Sequence, residues 1–405
     1  MEFNHKYDFV TIPDRKGNDA IAVDAIGLNT GAPGRAKENF DSIPMWVADM
    51  NFKSFEDIQK KIIERASHPS FGYFMPREEY FNGIINWHKE MKEVDDILPS
   101  YISYDNGVLG GLVSAVEAFT SIGDSVLIHS PTYTGFTRAI RNSGRQLVLS
   151  ELYQDDEMIW RMNFEDMEEK IRKHKIHLAI FCSPHNPCGR VWTRDELSLA
   201  MDIFRRNNCI VVCDEIWSDL ILNDHKHIAL QTINDDAKSR VIALYAPSKT
   251  FNLAGIRGSY NIIYDEYLRD RLVSQASKSA YNNMGLFSMY ALIAAYSKRG
   301  AEWVNELREV LSSNVRLMYS YLKSKNGVSL SMPEGTYMLL PSFSEYYRQH
   351  GLKHEDFVRR LWDYGIAIND GVPFNYSEGI RMNLASPRYR IEEAIDRLEK
   401  YIFVD

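Results

Sequence analysis

The chain is poor in cysteine: four in 405 residues. That is too few for a disulfide framework, so stability has to come from packing. No stretch approaches the roughly 18 consecutive apolar residues of a membrane-spanning helix. The N-terminal MEFNHKYDFVTIPDRKG has no apolar signal core. An excess of positive charge is missing as well. The net charge is −8, with no basic run to offset it, which argues against a binder of nucleic-acid phosphates. Repeats, low-complexity tracts and Gly/Ser linkers are absent. The expectation is a cytoplasmic protein with neither nucleic acid nor membrane as partner. What is present is ordinary globular material, 45% hydrophobic and 25% charged. Its length exceeds what one compact core holds, so two domains are expected.

Pattern changes supply the organisation. Between about residues 100 and 265, apolar β-rich runs alternate with helical stretches: Ser125–His129, Gln146–Leu149, His177–Cys182, Cys209–Asp214, Val241–Tyr245 and Gly258–Tyr264. Helical periodicity fits Asp166–Lys173 and Glu196–Arg206 between them. Nearly continuous apolar strands separated by helices predict a mainly parallel sheet covered on both faces. After about residue 295 the texture becomes α+β, with a long helix over Glu302–Lys325, a β segment near Gly335–Leu340 and a last helix near Ile391–Val404. The reading is an α/β large domain over residues 51–295 and a smaller α+β domain over 296–405, to which residues 1–50 contribute.

In such sheets ligands sit beyond the carboxyl ends of the strands. There the chain carries Asp214-Glu215, then Ala246-Pro247-Ser248-Lys249, then Ser183-Pro184-His185-Asn186-Pro187. A carboxylate, a lysine and an amide are thus expected at one sheet edge. A lysine after a strand is, by itself, usually solvated surface. Lys249 does not stand by itself.

Together with PMWVADMNF (Pro44–Phe52), FGY (Phe71–Tyr73), SPHNPCGRVW (Ser183–Trp192), DEIWSDL (Asp214–Leu220), SKTFNLAG (Ser248–Gly255) and RMNLASPR (Arg381–Arg388), the chain resembles the fold-type I aminotransferase superfamily of pyridoxal-5′-phosphate (PLP) enzymes. Within it, the MalY/PatB-type cystathionine β-lyase group is the nearest in pattern. The resemblance implies a large domain on a mainly parallel seven-stranded sheet, PLP as cofactor and an amino-acid substrate. It implies that Lys249 holds the cofactor as a Schiff base, a role that suits a desolvated lysine. Asp214 would pair with the ring nitrogen, Asn186 with the ring oxygen, and Tyr133 would stack on the ring. A cofactor phosphate needs helix-start amides and a cation. Val108 and Leu109 in NGVLGG would supply the amides, Arg257 and Ser248 a charge and a hydroxyl. Tyr73 is expected to reach the phosphate from a neighbouring subunit, making the active unit a homodimer. Arg381 would take the substrate carboxylate, and backbone groups near Val47 and Ala48 would close the pocket.

One segment and two positions depart from the family pattern. The N-terminal RKGNDAIAVD lacks the serine and the Lys-Trp that many of these lyases show there. Ala246 stands where many members have serine. Trp217, also placed beside the cofactor, stands where aminotransferases commonly have Tyr and many of these lyases have His. Cys182, His185 and Cys188 match no usual zinc spacing, so no metal is expected, and His225 and His227 read as a loop pair near the pocket edge. The expected activity is β-elimination from cystathionine, cysteine or another S-conjugate. Transamination is the alternative, and a regulatory protein retaining the fold is a third reading.

Overall fold

A computed structural model describes residues 5–28 and 31–404. The central sheet runs in the order Ile102–Asp105, Ser259–Ile262, Val241–Tyr245, Ile210–Asp214, Leu178–Cys182, Ser125–Ser130, Gln146–Gln154 and Trp160–Met162. The five strands from Val241–Tyr245 to Gln146–Gln154 are mutually parallel. The remaining three pair antiparallel at the two edges. Seven strands were expected, and the eighth is the three-residue edge strand Trp160–Met162. Strand Ile102–Asp105 was not foreseen, because ISYD is short and half polar.

The central strands are buried on both sides, which is why they read as unbroken apolar runs. Alternation along each strand splits the core. Val212, Ile180 and Leu244 pack under helix Val108–Phe119, whereas Val211, Phe181 and Ala243 face the opposite layer. Helix Arg194–Arg206 begins two residues earlier than periodicity suggested. Thr193 and Glu196 form a capping box there, each side chain bonding the other's backbone N–H.

A second sheet has the order Ile43–Met45, Ile366–Asp370, Ile380–Asn383 and Met338–Leu339. Its first strand comes from early in the chain, and Ile43 pairs in parallel with Ile366. Helix Lys298–Lys323 starts where the Ser297 side chain accepts from Gly300 N. The final helix is Arg388–Arg397, followed by a π turn over Leu398–Ile402. Among the described residues no helix is long and apolar enough to cross a membrane.

Candidate active site

At the carboxyl ends of the parallel strands lies a cavity of about 250 Å³, near the lower bound of small-molecule sites. Tyr133, Asn186, Asp214, Trp217 and Lys249 all line it. Its floor is the start of helix Val108–Phe119. Gly107 takes φ +113° to turn strand Ile102–Asp105 into that helix, a conformation open to glycine. Its N–H donates to Ser259 Oγ at 3.2 Å, and that hydroxyl donates to the Asp105 carbonyl at 3.0 Å. The next N–H groups, of Val108 and Leu109, have no acceptor within the helix and open on the cavity. A Cβ on Gly110 would fall 1.8 Å from the Tyr281 ring, so glycine is what admits that ring. Tyr281 donates to the Asn106 carbonyl at 2.6 Å and walls the cradle. Ser248 and Arg257 line the same cavity, so amides, a hydroxyl and a cation are available there to an anion.

In the same cavity Lys249 Nζ donates to the Ala48 carbonyl at 2.8 Å and lies 5.7 Å from the centroid of the Trp217 ring. Burial draws its pKa down to about 8, helped by the Arg381 charge and opposed by Asp49 and Asp214. Asp214 is pushed up to about 6, again chiefly by burial. Its carboxylate accepts from Ile216 N at 3.0 Å, and among the described residues no cation pairs with it.

Arg381 is buried on strand Ile380–Asn383. It donates to the Trp46 carbonyl at 2.9 Å, to Asn369 Oδ1 at 2.8 Å and to Asn186 Oδ1 at 3.3 Å. The guanidinium lies 4.3 Å from the Phe374 ring centroid, its Nε has no partner, and burial draws its pKa down to about 10. A buried guanidinium without a carboxylate is an incomplete pair. Val47 lies behind the pocket wall, and the Asn383 amide holds its segment by donating to the carbonyls of Val47 and Asp49, each at 2.6 Å.

The structure thus gathers ten of the predicted residues around one cavity: Val108, Leu109, Tyr133, Asn186, Asp214, Trp217, Ser248, Lys249, Arg257 and Ala48. Arg381 adjoins them through its bond to Asn186, whereas Val47 does not line the cavity and packs with Ala25, Trp46 and Ala367. Tyr73 is not among them. It is fully exposed in an outer groove with Phe71 and Phe287. Tyr281 was missed, since a lone tyrosine in a loop carries no periodic signal. His227 also differs from expectation. It is buried rather than at the pocket edge, its ring paired with Glu215 Oε2 at 2.8 Å. Cys182, His185 and Cys188 each contact a backbone carbonyl instead of sharing a centre.

The family model for aminotransferase class I and II matches residues 42–398. The chain belongs to that family. Its cofactor is pyridoxal 5′-phosphate. The cavity suits this group: a phosphate fits the amide cradle, a protonated ring nitrogen answers the uncompensated Asp214, and Lys249 stands beside both. Among family members, cystathionine β-lyase PatB of Bacillus subtilis strain 168 is 31% identical over 390 residues, covering 95% of this chain and 97% of its own. Aspartate aminotransferase of Bacillus sp. strain YM-2 is 26% identical over 385 residues, covering 95% and 93%. The crystal structure of cystalysin from Treponema denticola, which contains PLP, superposes with a TM-score of 0.89 at 28% identity, covering 98% of each chain.

Proposed function

We propose that the protein is a PLP-dependent carbon–sulfur β-lyase. It takes a cysteine S-conjugate such as L-cystathionine and, with one water, releases a thiol, pyruvate and ammonia. The observation that carries the reading is one cavity that brings Lys249 together with a buried Asp214 lacking a paired cation and with the start of helix Val108–Phe119. The 31% identity with a cystathionine β-lyase over nearly its whole length supports the choice of reaction.

Bound PLP supplies an electron sink for the pair left when Cα loses its proton. Lys249 would hold the cofactor, and its Nζ, when freed, is placed to accept that proton. Its lowered pKa leaves a useful fraction neutral near pH 8. With the cofactor bound, Asp214 would keep a proton on the ring nitrogen, Asn186 Nδ2 would donate to the ring oxygen and Tyr133 would cover one ring face. The amides of Val108 and Leu109, with Ser248 and Arg257, would hold the phosphate. Ala246 has no hydroxyl, so Ser248 and Arg257 bear more of that load. Arg381 receives the substrate carboxylate, supplying the anion its buried guanidinium lacks. Trp217, packed edge-on against Tyr337 at 4.8 Å, offers apolar surface to the leaving thiol.

The working unit is a homodimer in which Tyr73 reaches the phosphate of the neighbouring subunit. Its full exposure, away from its own cavity, fits that role. A cytoplasmic location suits four buried free cysteines. The deciding experiment is incubation of the PLP-loaded protein with L-cystathionine and no 2-oxo acid. Sustained pyruvate and ammonia support the lyase. A reaction that stops after one turnover and resumes on adding a 2-oxo acid makes the protein an aminotransferase.

A further inference from the structure

Asp219 lies behind the pocket and has none of the roles above. It is buried, as are Lys92 and Thr250 beside it. One carboxylate oxygen pairs with the Lys92 ammonium and accepts from Trp87 Nε1 at 3.0 Å. The other accepts from Thr250 Oγ1 at 2.9 Å. Its carbonyl accepts from Arg308 Nε at 2.6 Å. The aspartate is thereby fixed to helix Glu78–Lys92 and helix Lys298–Lys323, and through Thr250 to the turn that bears Lys249.

The topology gives this contact a purpose. In the central sheet Asp214 stands opposite Leu244. Beyond that pair the two chains diverge, one towards Trp217 and Asp219, the other towards Lys249 and Thr250. The Asp219–Thr250 bond joins them again. Asp214 and Lys249 therefore sit on a closed loop, with a β pair at one end and a charge-assisted hydrogen bond at the other. The turn is itself tight, with Phe251 N bonded to the Pro247 carbonyl and Leu253 N to the Ser248 carbonyl, both at 2.9 Å. Within it Lys249 reaches the cavity and Thr250 reaches the interior. An ion pair kept only for packing would engage Lys92 and Trp87; the second oxygen is given to the neighbour of the lysine.

We propose that Asp219, acting through Thr250, is a positioning residue that sets the Lys249 amine relative to the Asp214 carboxylate. The proposal rests on Lys249 being the residue that holds the cofactor. Other charged groups surround the two ends of this tether. Asp49 and Arg381 act on Lys249 together with Asp214. Lys92 and Arg308 act on Asp219, and His88 lies close by. Thr250→Val leaves all of these in place and deletes only the donor, whereas Thr250→Ser restores it.

Both variants and the wild type are loaded with PLP, and the visible absorbance of the bound cofactor is titrated with pH. Steady-state constants for L-cystathionine are measured in parallel. Thr250→Val is expected to move the absorbance midpoint by about half a pH unit or more and to lower kcat about tenfold, with KM within about twofold. Thr250→Ser is expected to return both to wild-type values. A Thr250→Val protein with the wild-type midpoint and kcat, altered only in melting temperature, overturns the proposal and leaves Lys249 in its role. A wild type that shows no lysine-dependent absorbance with PLP overturns both.

Discussion

Asp214 and Asp219 stand on one short segment, five residues apart, at most 5% exposed, yet their surroundings differ in kind. Asp214 faces the cavity with one backbone N–H and no cation at contact, and burial dominates it. Asp219 faces the interior with an ammonium, an indole and a hydroxyl, and its pKa is lowered although burial acts the other way. The same contrast separates Arg381, which lacks a carboxylate, from Arg190, which pairs with Glu196 and Glu334. Asp219 and Arg190 are answered by the protein itself. Asp214 and Arg381 have no opposite charge in contact. An active site is recognisable as the place where a well-packed protein leaves its charges unanswered.

The most severe break in the comparison is Lys249→Ala, expected to cut pyruvate release from L-cystathionine about 10⁴-fold. Bound PLP should then lose its lysine-dependent absorbance. Asp219→Asn strikes the satisfied side and strands Lys92, so chemical denaturation should record a loss of about 3–5 kcal/mol. Asp214→Asn should act with the opposite sign in the cofactor-free protein. Its folded pKa, about 6, lies above the ordinary aspartate value of 3.8, so the ionised form is a burden present above pH 6 and absent below pH 4. The variant should gain about 3 kcal/mol at pH 7, the gain fading as pH falls from 6 to 4. The PLP-loaded variant should nonetheless be the poorer enzyme. The mildest test varies pH alone. Capture of PLP by the cofactor-free protein needs a neutral Lys249 amine, so its rate should climb with pH through a midpoint near pH 8. A midpoint displaced towards pH 10 would show that burial and Arg381 do not tune the lysine.

How far the sequence reaches follows the same division. Strand Val241–Tyr245 was legible to the residue, and Ile210–Asp214 and Leu178–Cys182 to within one, because buried parallel strands leave unbroken apolar runs. The polar groups at their ends were legible because strand ends are few and the motifs dense. Strand Ile102–Asp105 escaped, since an antiparallel edge strand with polar residues has no such signature. Lys92 and Asp219 escaped too: they lie on separate elements 127 residues apart in sequence, and only the fold brings them together. His227 lies in a loop as expected, but its burial depends on Glu215, which no local pattern predicts.

Strand Ile43–Met45, paired with Ile366–Asp370, has a bearing on biosynthesis. A ribosome delivers residues 43–49 early and their sheet partners last. The cofactor cradle and the central sheet use residues made in between, and long-range pairings are slow to form. The nascent chain thus has the elements of the phosphate cradle before Arg381 exists and before the Ala48 carbonyl has a frame to hold it against Lys249. The strand that bears Arg381 and the frame around the Ala48 carbonyl are therefore the last surroundings of the cavity to be assembled.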